Sequence, residues 1–496
     1  MLEVRRAFPV LGLLWAVGCG GTDGPTDPTA GGPTSSEVAC RRSVPVAAID
    51  AVLAASVAAA APGDCLVLAD GNYAGLTLRT QGTADRPIVL RAANRGRAVF
   101  ASGVLRLDRA HYTVLEGFTI TTSGGRVTVD ARTRLVGVLL TDSNNCRVTR
   151  CTFRLAGHAV NTQWLMIGGN SNDNRVDHSE FGPNTVDGVH FLWPAGAPDI
   201  AGVTPPADRS AWADYRSPRN PNMARNTRID HNHFHDHALG TAECIVLGGL
   251  GVTGDYQETH TTVEQNLFTN CDGDPEIVSI KASNNVIRYN TLRTSAGGFV
   301  SRAGNRNEIY GNFILQGGKA ASAGFRLHEK DHVAYNNYIE NTADYPINLG
   351  SGDRYDAAGF THAQVFRARV VHNSVVTNNG RAVIIGWGSN ELPPVDCVFA
   401  NNIVSGGLTQ LTLALPGNTF FTRNLVNPTM AAEGGLMRLT ASSPAVDVAD
   451  PAYFPFVTDD IDGQPRSTAD IGADELSAAP ILRRPLTAAD VGPEAP

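Results

Sequence analysis

Between Cys271 and Arg302 the chain places side chains that could do acid–base chemistry beside a cation site. The segment reads Cys271-Asp272-Gly273-Asp274-Pro275-Glu276-Ile277-Val278-Ser279-Ile280-Lys281, so three acids fall within five residues and a lysine closes a short apolar run. Arg302 follows twenty-one residues after that lysine. Lysine is rare in this protein: only Lys281, Lys319 and Lys330 stand among 40 Lys and Arg residues. A chain with that bias has little use for lysine where arginine would serve. A lysine that is desolvated or set beside another cation can give up its proton, whereas an arginine in effect cannot. The plain reading of Lys281 is a solvated surface residue. The sharper reading is a titratable base next to an acidic metal site.

Such a base is useful only if something rigid holds it, and a repeat supplies the scaffold. The unit is a short hydrophobic strand, an Asn or small residue, then an aromatic or aliphatic residue. It runs through Val148…Cys151-Thr152-Phe153, Val176…Ser179-Glu180-Phe181, Ile229…Asn232-His233-Phe234 and Val263…Asn266-Leu267-Phe268. It continues at Asn290, Asn312, Asn337, Asn373, Asn402 and Asn424, with steps of 24, 22 and 25 residues between Asn266 and Asn337. One unit cannot bury its own apolar face, but stacked units share a core. Asn at each bend can bond to the Asn of the next coil. The expected fold is all-β, a right-handed parallel β-helix. The alanine-rich stretch from Ile49 to Ala61 is a short capping helix over its open N-terminal end. A β-propeller is the alternative, but its blades need about 40 residues each. Residues 193–222 and 341–368 interrupt the stack as insertions that could wall a cleft.

The ends divide the chain further. Arg5 and Arg6 precede an apolar run too short to span a bilayer, closing on Trp15-Ala16-Val17-Gly18-Cys19. Residues 1–19 are therefore read as a lipoprotein signal with Cys19 lipidated, and residues 20–39 as a flexible tether. Residues 40–440 form the β-helix, and residues 441–496 a closing segment with a loose tail. Export is expected, with a lipid anchor as the sole membrane contact. Cys40 and Cys65 could pair in an oxidising compartment. Cys146 and Cys151, five apart, would face opposite sides of one continuous strand. The net charge of −8 argues against nucleic-acid binding. Yet residues 281–330 hold eight basic residues against Glu308 and Glu329, which suits an anionic ligand.

With these features in hand, the chain resembles polysaccharide lyase family 6, which contains chondroitinase B and many alginate lyases. The likeness runs from about Pro62 to Asn337 and includes Asn174-Arg175-Val176-Asp177-His178 and Ile229-Asp230-His231-Asn232. Its most specific part is the block Asp274, Glu276, Lys281 with Arg302 one coil later. The resemblance implies that Asp274 and Glu276 bind Ca²⁺, joined by Glu243 on the preceding coil. It also implies that Lys281 is the base and Arg302 the acid in β-elimination from a uronic-acid polysaccharide. In that chemistry the proton at C5 leaves, and the ionised carboxylate beside it must be neutralised. Hard Ca²⁺ held by carboxylates would suit that role. Arg326 and His328, about one coil beyond Arg302, are expected to line the substrate groove.

The sequence departs from the family pattern at Gly240, where metal-dependent members have an Asn ligand, and at Val246, where an Arg is common. It departs again at Ala303, where a His usually follows the catalytic Arg, and at Asp274, where the first acid is Glu. These changes keep the base and the acid but thin the metal shell. His231, His233, His235 and His237 alternate like a metal ribbon, but Asn232 is a bend residue and no zinc-like spacing accompanies them. Trp387 reads as a buried aromatic before a sugar platform. Two other classes stay open at this point. One is a glycan-binding β-helix without turnover. The other is a hydrolase, which would need two carboxylates across the bond and no lysine. Oligomeric state cannot be read from the sequence.

Overall fold

The computed structural model describes residues 38–122, 125–129, 132–155, 162–184, 189–195, 218–240, 242–249, 257–353, 362–376, 381–386, 392–406, 408–410, 420–453 and 456–496. Cys19 and nearly all of the tether, most of the first insertion, part of the second, and Trp387 lie outside these residues. No helix among the described residues is long and apolar enough to cross a membrane.

The repeat folds as expected, into a right-handed parallel β-helix. Each coil contributes one short strand to each of three faces: a 14-stranded sheet, a 13-stranded sheet, and a third face built of a six- and a seven-stranded sheet. One coil, for example, supplies Val286–Arg288, Thr291–Arg293 and Gly298–Ala303. Inward residues of all three faces merge in one core, with Phe153, Phe181, Phe234 and Phe268 stacked along it at centroid spacings of 4.4 to 5.0 Å. The cap is a nine-residue helix, α1 (Asp50–Ala58), whose buried Leu53 closes the N-terminal end of that core.

The asparagine ladder sets the register. Asn232, Asn266, Asn290, Asn312, Asn337, Asn373, Asn402 and Asn424 each pass an amide hydrogen bond to the next, at 2.9 to 3.1 Å. The residue before each one sits at positive φ, from His231 (55°) to Arg423 (54°). That left-handed turn costs a non-glycine residue about 1 kcal/mol or more. Every rung offsets the cost by satisfying backbone groups that the bend would otherwise bury unpaired, as when Asn266 Nδ2 donates to the Ile229 carbonyl.

Cys40 and Cys65, which the sequence allowed to pair, form a disulfide between adjacent coils, 25 residues apart. Other expectations shift. Cys146 and Cys151 flank a three-residue strand, Arg147–Thr149, instead of sharing one, and the bends turn both into the core. The closing segment lies along the side of the stack. Its Ile461 and Ala473, with Leu436 just before it, pack on Phe313 and Tyr338 there.

The tail is not loose. It runs back over the bends: Leu486 N–H donates to Thr291 Oγ1 (2.8 Å), Gly492 N–H to the His231 carbonyl (2.8 Å), and buried Arg150 reaches the carbonyls of Pro493 and Ala495 (2.7 Å each). Arginine–carbonyl bonds of this kind contribute about 1.5–3 kcal/mol each. Deleting residues 481–496 should therefore lower the denaturation midpoint by an amount worth at least about 2 kcal/mol. An unchanged midpoint in parallel melts would show the strap to be passive.

Candidate active site

Five strands of the seven-stranded sheet carry the site: β1 (Ile245–Gly248), β2 (Glu276–Lys281), β3 (Gly298–Ala303), β4 (Phe325–Leu327) and β5 (Ile347–Leu349). Their alternate residues fill the core. The inward set includes Ile245, Val278, Phe299, Phe325 and Ile347, which stand in register on successive coils. The opposite residues, Ser279, Val300, Arg326 and Asn348, therefore face outward. Lys281 and Arg302 each lie two residues after a member of this outward set, so both face the same side. The spacing on the two strands would have failed the pair had one turned inward.

The β2–β3 pairing is irregular at both ends. Ile280 pairs with Ser301 but Lys281 pairs with Ala303, which leaves Arg302 as the extra residue of a bulge. Ile277 is the extra residue at the other end, between the Glu276 and Val278 pairs. A bulge re-aims side chains and leaves backbone groups out of the ladder. Here it lifts Arg302 above the sheet plane beside the β2 acid. Gly249 makes room on the other side: its φ is +87°, and a Cβ there would stand 2.9 Å from the Lys281 Cδ.

The contacts among the named residues are specific. Glu276, 5 % exposed, accepts from Arg302 Nη1 at 3.1 Å and Arg326 Nη2 at 2.7 Å on one oxygen, and from Ser279 Oγ at 2.5 Å on the other. Lys281 Nζ lies 3.5 Å from Glu243 Oε1. Asp274 accepts the Glu276 backbone N–H at 2.8 Å. Burial pushes the Asp274 carboxyl above the usual carboxylate range; the Glu276 N–H opposes this, while the charges of Glu243 and Glu276 add to it. Asp272, the first acid of the block, turns away to pair with Lys319 Nζ at 2.5 Å.

His328 is a correction. Sequence placed it in the groove with Arg326, but it is fully buried, with Nδ1 3.1 Å from the Ala363 carbonyl. Strand β4 ends at Leu327, so the outward alternation stops one residue short of it. Burial, helped by the charge of Arg326, holds its imidazole well below the ordinary histidine range. The ring above it belongs to His362, 4.7 Å away between centroids, from the second insertion. Sequence reading missed His362. Burial and then the charges of Arg302 and Arg326 bring it down to about 4, so it is neutral at working pH. The four alternating histidines do not converge on a metal: His231 holds Asp230, His233 Thr269, His235 Glu180, and His237 Cys244.

Two of the three expected calcium ligands are already paired with cations as these residues stand. Glu276 is taken by two guanidiniums and a hydroxyl, and Glu243 by Lys281. Gly240 offers no side chain, and its N–H is spent on the Gly273 carbonyl. Among the described residues, the acids whose oxygens gather within 4.8 Å of one another are Asp460, Asp462 and Asp474, in the closing segment. Those are bridged by Arg438, which bonds both Asp462 and Asp474.

A β-helix that presents a lysine, two arginines and buried acids on one outer face belongs with the polysaccharide lyases of this fold. The chondroitinase B family profile matches residues 48–434, and the chain belongs to that family. Solved structures agree. A mannuronic-acid-specific family 6 lyase from the human gut microbiota is 24 % identical, covering 78 % of this chain and 83 % of its own, with a TM-score of 0.57. The PL6 family alginate lyase AlyGC is 19 % identical over 89 % of this chain, which spans only 59 % of it, with a TM-score of 0.63. A PL6 family polysaccharide lyase from Pseudopedobacter saltans is 19 % identical over 92 % of this chain and 99 % of its own, at 0.61. No curated protein sequence matches.

Proposed function

We propose that this polysaccharide lyase cuts alginate by β-elimination, with Lys281 as the base and Arg302 at the leaving oxygen. The carrying observation is that Lys281 and Arg302 share one outer face, each anchored by a buried acid. Lys281 Nζ takes the proton from C5, the C–H electron pair forms the C4–C5 double bond, and the C4–O bond breaks. Arg302 stabilises the charge that develops on the departing oxygen. Glu243 fixes the Nζ end of a long side chain that would otherwise lose its aim. Alginate is preferred over dermatan sulfate because two of the similar structures are described as an alginate lyase and a mannuronic-acid-specific lyase.

Export to an oxidising compartment and lipid anchoring at Cys19 complete the reading, and the Cys40–Cys65 disulfide supports the first of these. Ultraviolet absorbance during incubation with alginate, and separately with dermatan sulfate, tests the activity. A lyase leaves an unsaturated, absorbing end on every cut. Reducing ends without absorbance would mean hydrolysis, and neither signal would mean a binder.

A further inference from the structure

We infer that His332, with Ser301 and Asn307, is a positioning residue for Arg302: from inside the core, the three hold the bulge that aims the guanidinium. The inference rests on the lyase reading for what Arg302 does, but not for the geometry that places it.

The inward row beneath the site is aliphatic at every coil but one. Leu247, Ile280, Ser301, Leu327, Leu349 and Ile385 stand in register, and Ser301 alone among them is polar. It is fully buried and immediately precedes the bulged Arg302. A hydroxyl buried among aliphatics is costly unless it is bonded. Two side chains from the bends that follow bond it. Asn307 Nδ2 donates to Ser301 Oγ at 3.0 Å, and His332 Nε2 lies 3.3 Å from the same oxygen.

His332 itself ends a second ladder. Asn285, Asn307 and His332 take equivalent places on successive coils, two residues before Ile287, Ile309 and Ala334. The Thr261 N–H donates to Asn285 Oδ1, the Asn285 N–H to Asn307 Oδ1, and the Asn307 N–H to His332 Nδ1, at 2.9 to 3.1 Å. A ring nitrogen thus does the work that amide oxygens do on the two coils before it. Burial brings the His332 imidazole down to about 4, so the ring is neutral. Because Nδ1 accepts, the one ring proton is on Nε2. That N–H points between the His328 carbonyl, 2.6 Å away, and Ser301 Oγ. An asparagine here could continue the ladder, but its amide ends one bond short of Nε2. The histidine therefore ties the end of β4 to the residue beneath the bulge.

The far side of the bulge is closed by backbone. Gly304 has a φ of +81°, and a Cβ on it would stand 2.3 Å from the Ala282 carbonyl, so only glycine lets the two coils touch there. Arg302 thus lies between a side-chain clamp at Ser301 and a backbone clamp at Gly304. Its Nη1 bond to Glu276 fixes the other end of the side chain. Releasing Ser301 lets the bulge relax, and a guanidinium that wanders from the leaving oxygen stabilises it less.

Two variants of the full chain test this. Ser301→Ala removes the hydroxyl and makes the row aliphatic throughout, and His332→Asn keeps the ladder acceptor but cannot reach Ser301. Should one fail to fold, the other carries both readouts. The first readout is kcat and KM by ultraviolet absorbance on the polysaccharide that the wild type cuts. Each variant should lower kcat about 5-fold, the worth of one hydrogen bond, with KM little moved. In an Arg302→Ala background neither should cost anything further, because the network acts through that arginine. The second readout is the rate at which phenylglyoxal, an arginine reagent, modifies the one-third-exposed Arg302, followed by peptide mass mapping. That rate should rise about 5-fold in both variants, and it needs no catalysis. Labelling of Arg302 at the wild-type rate overturns the inference. So does a loss of kcat that recurs in full without Arg302, or a kcat that survives faster labelling. If the wild type cuts no polysaccharide, the lyase reading fails, and the labelling alone decides whether the network holds Arg302.

Discussion

Lys281→Arg is expected to reduce turnover by about 10²–10⁴-fold, the usual contribution of a general base, while polysaccharide binding survives. The substitution keeps the positive charge and most of the reach toward Glu243, 3.5 Å away in the native protein. It removes the one property the reaction needs, an amine that can lose its proton. The Lys281 side chain is one-quarter exposed, so a longer guanidinium can extend toward solvent and the variant should fold. Lys281→Ala would be less informative, since it frees Glu243 and alters charge and chemistry together. The comparison is made by ultraviolet turnover assay on alginate beside a binding isotherm for the same polymer. Near-normal turnover would remove Lys281 from the mechanism and return it to the status of a partly exposed surface residue.

Why the placing of Lys281 beside Arg302 was legible from sequence while their partners were not has a physical answer. The repeat could be read because its signal is redundant: an Asn at each bend, an aliphatic before it and an aromatic after it, repeated until the period is beyond doubt. Stacking then converts a sequence step of 21 or more residues into adjacency, which is how Lys281 and Arg302 reached one face. The partners of Glu276 were not legible. Two arginines from later coils hold that carboxylate, and one of them reaches it from a bulge that shifts register by one residue. No local pattern encodes that shift.

His328 failed for a related reason. Alternation holds only while a strand lasts, and β4 is three residues long. The tail was misread because Pro, Ala and Gly carry no periodicity. Its ordering comes from backbone groups meeting side chains already fixed on the bends, Arg150 and Thr291 among them. His362 lay in an insertion with no repeat to place it, so only folding could bring it to Arg302 and Arg326.

The substitution Arg302→Ala separates the leaving-group role from the rest of the site. Arg302 is one-third exposed and its removal leaves Glu276 still bonded to Arg326 and Ser279, so no buried acid is orphaned and the fold should hold. Turnover should fall by about 10²–10³-fold, the scale of losing one preorganised donor at a developing oxyanion. Arg302→Lys should recover little of it. An ammonium restores the charge but not the planar fork, and it cannot bond Glu276 and the substrate oxygens with parallel donors. Arg326→Ala should behave differently. That side chain is buried, so its loss leaves a cavity beside Glu276 and lowers stability along with rate. Thermal melts run beside kcat and KM for the three proteins distinguish the roles. Arg302→Ala with wild-type kcat would remove Arg302 from the leaving-group step.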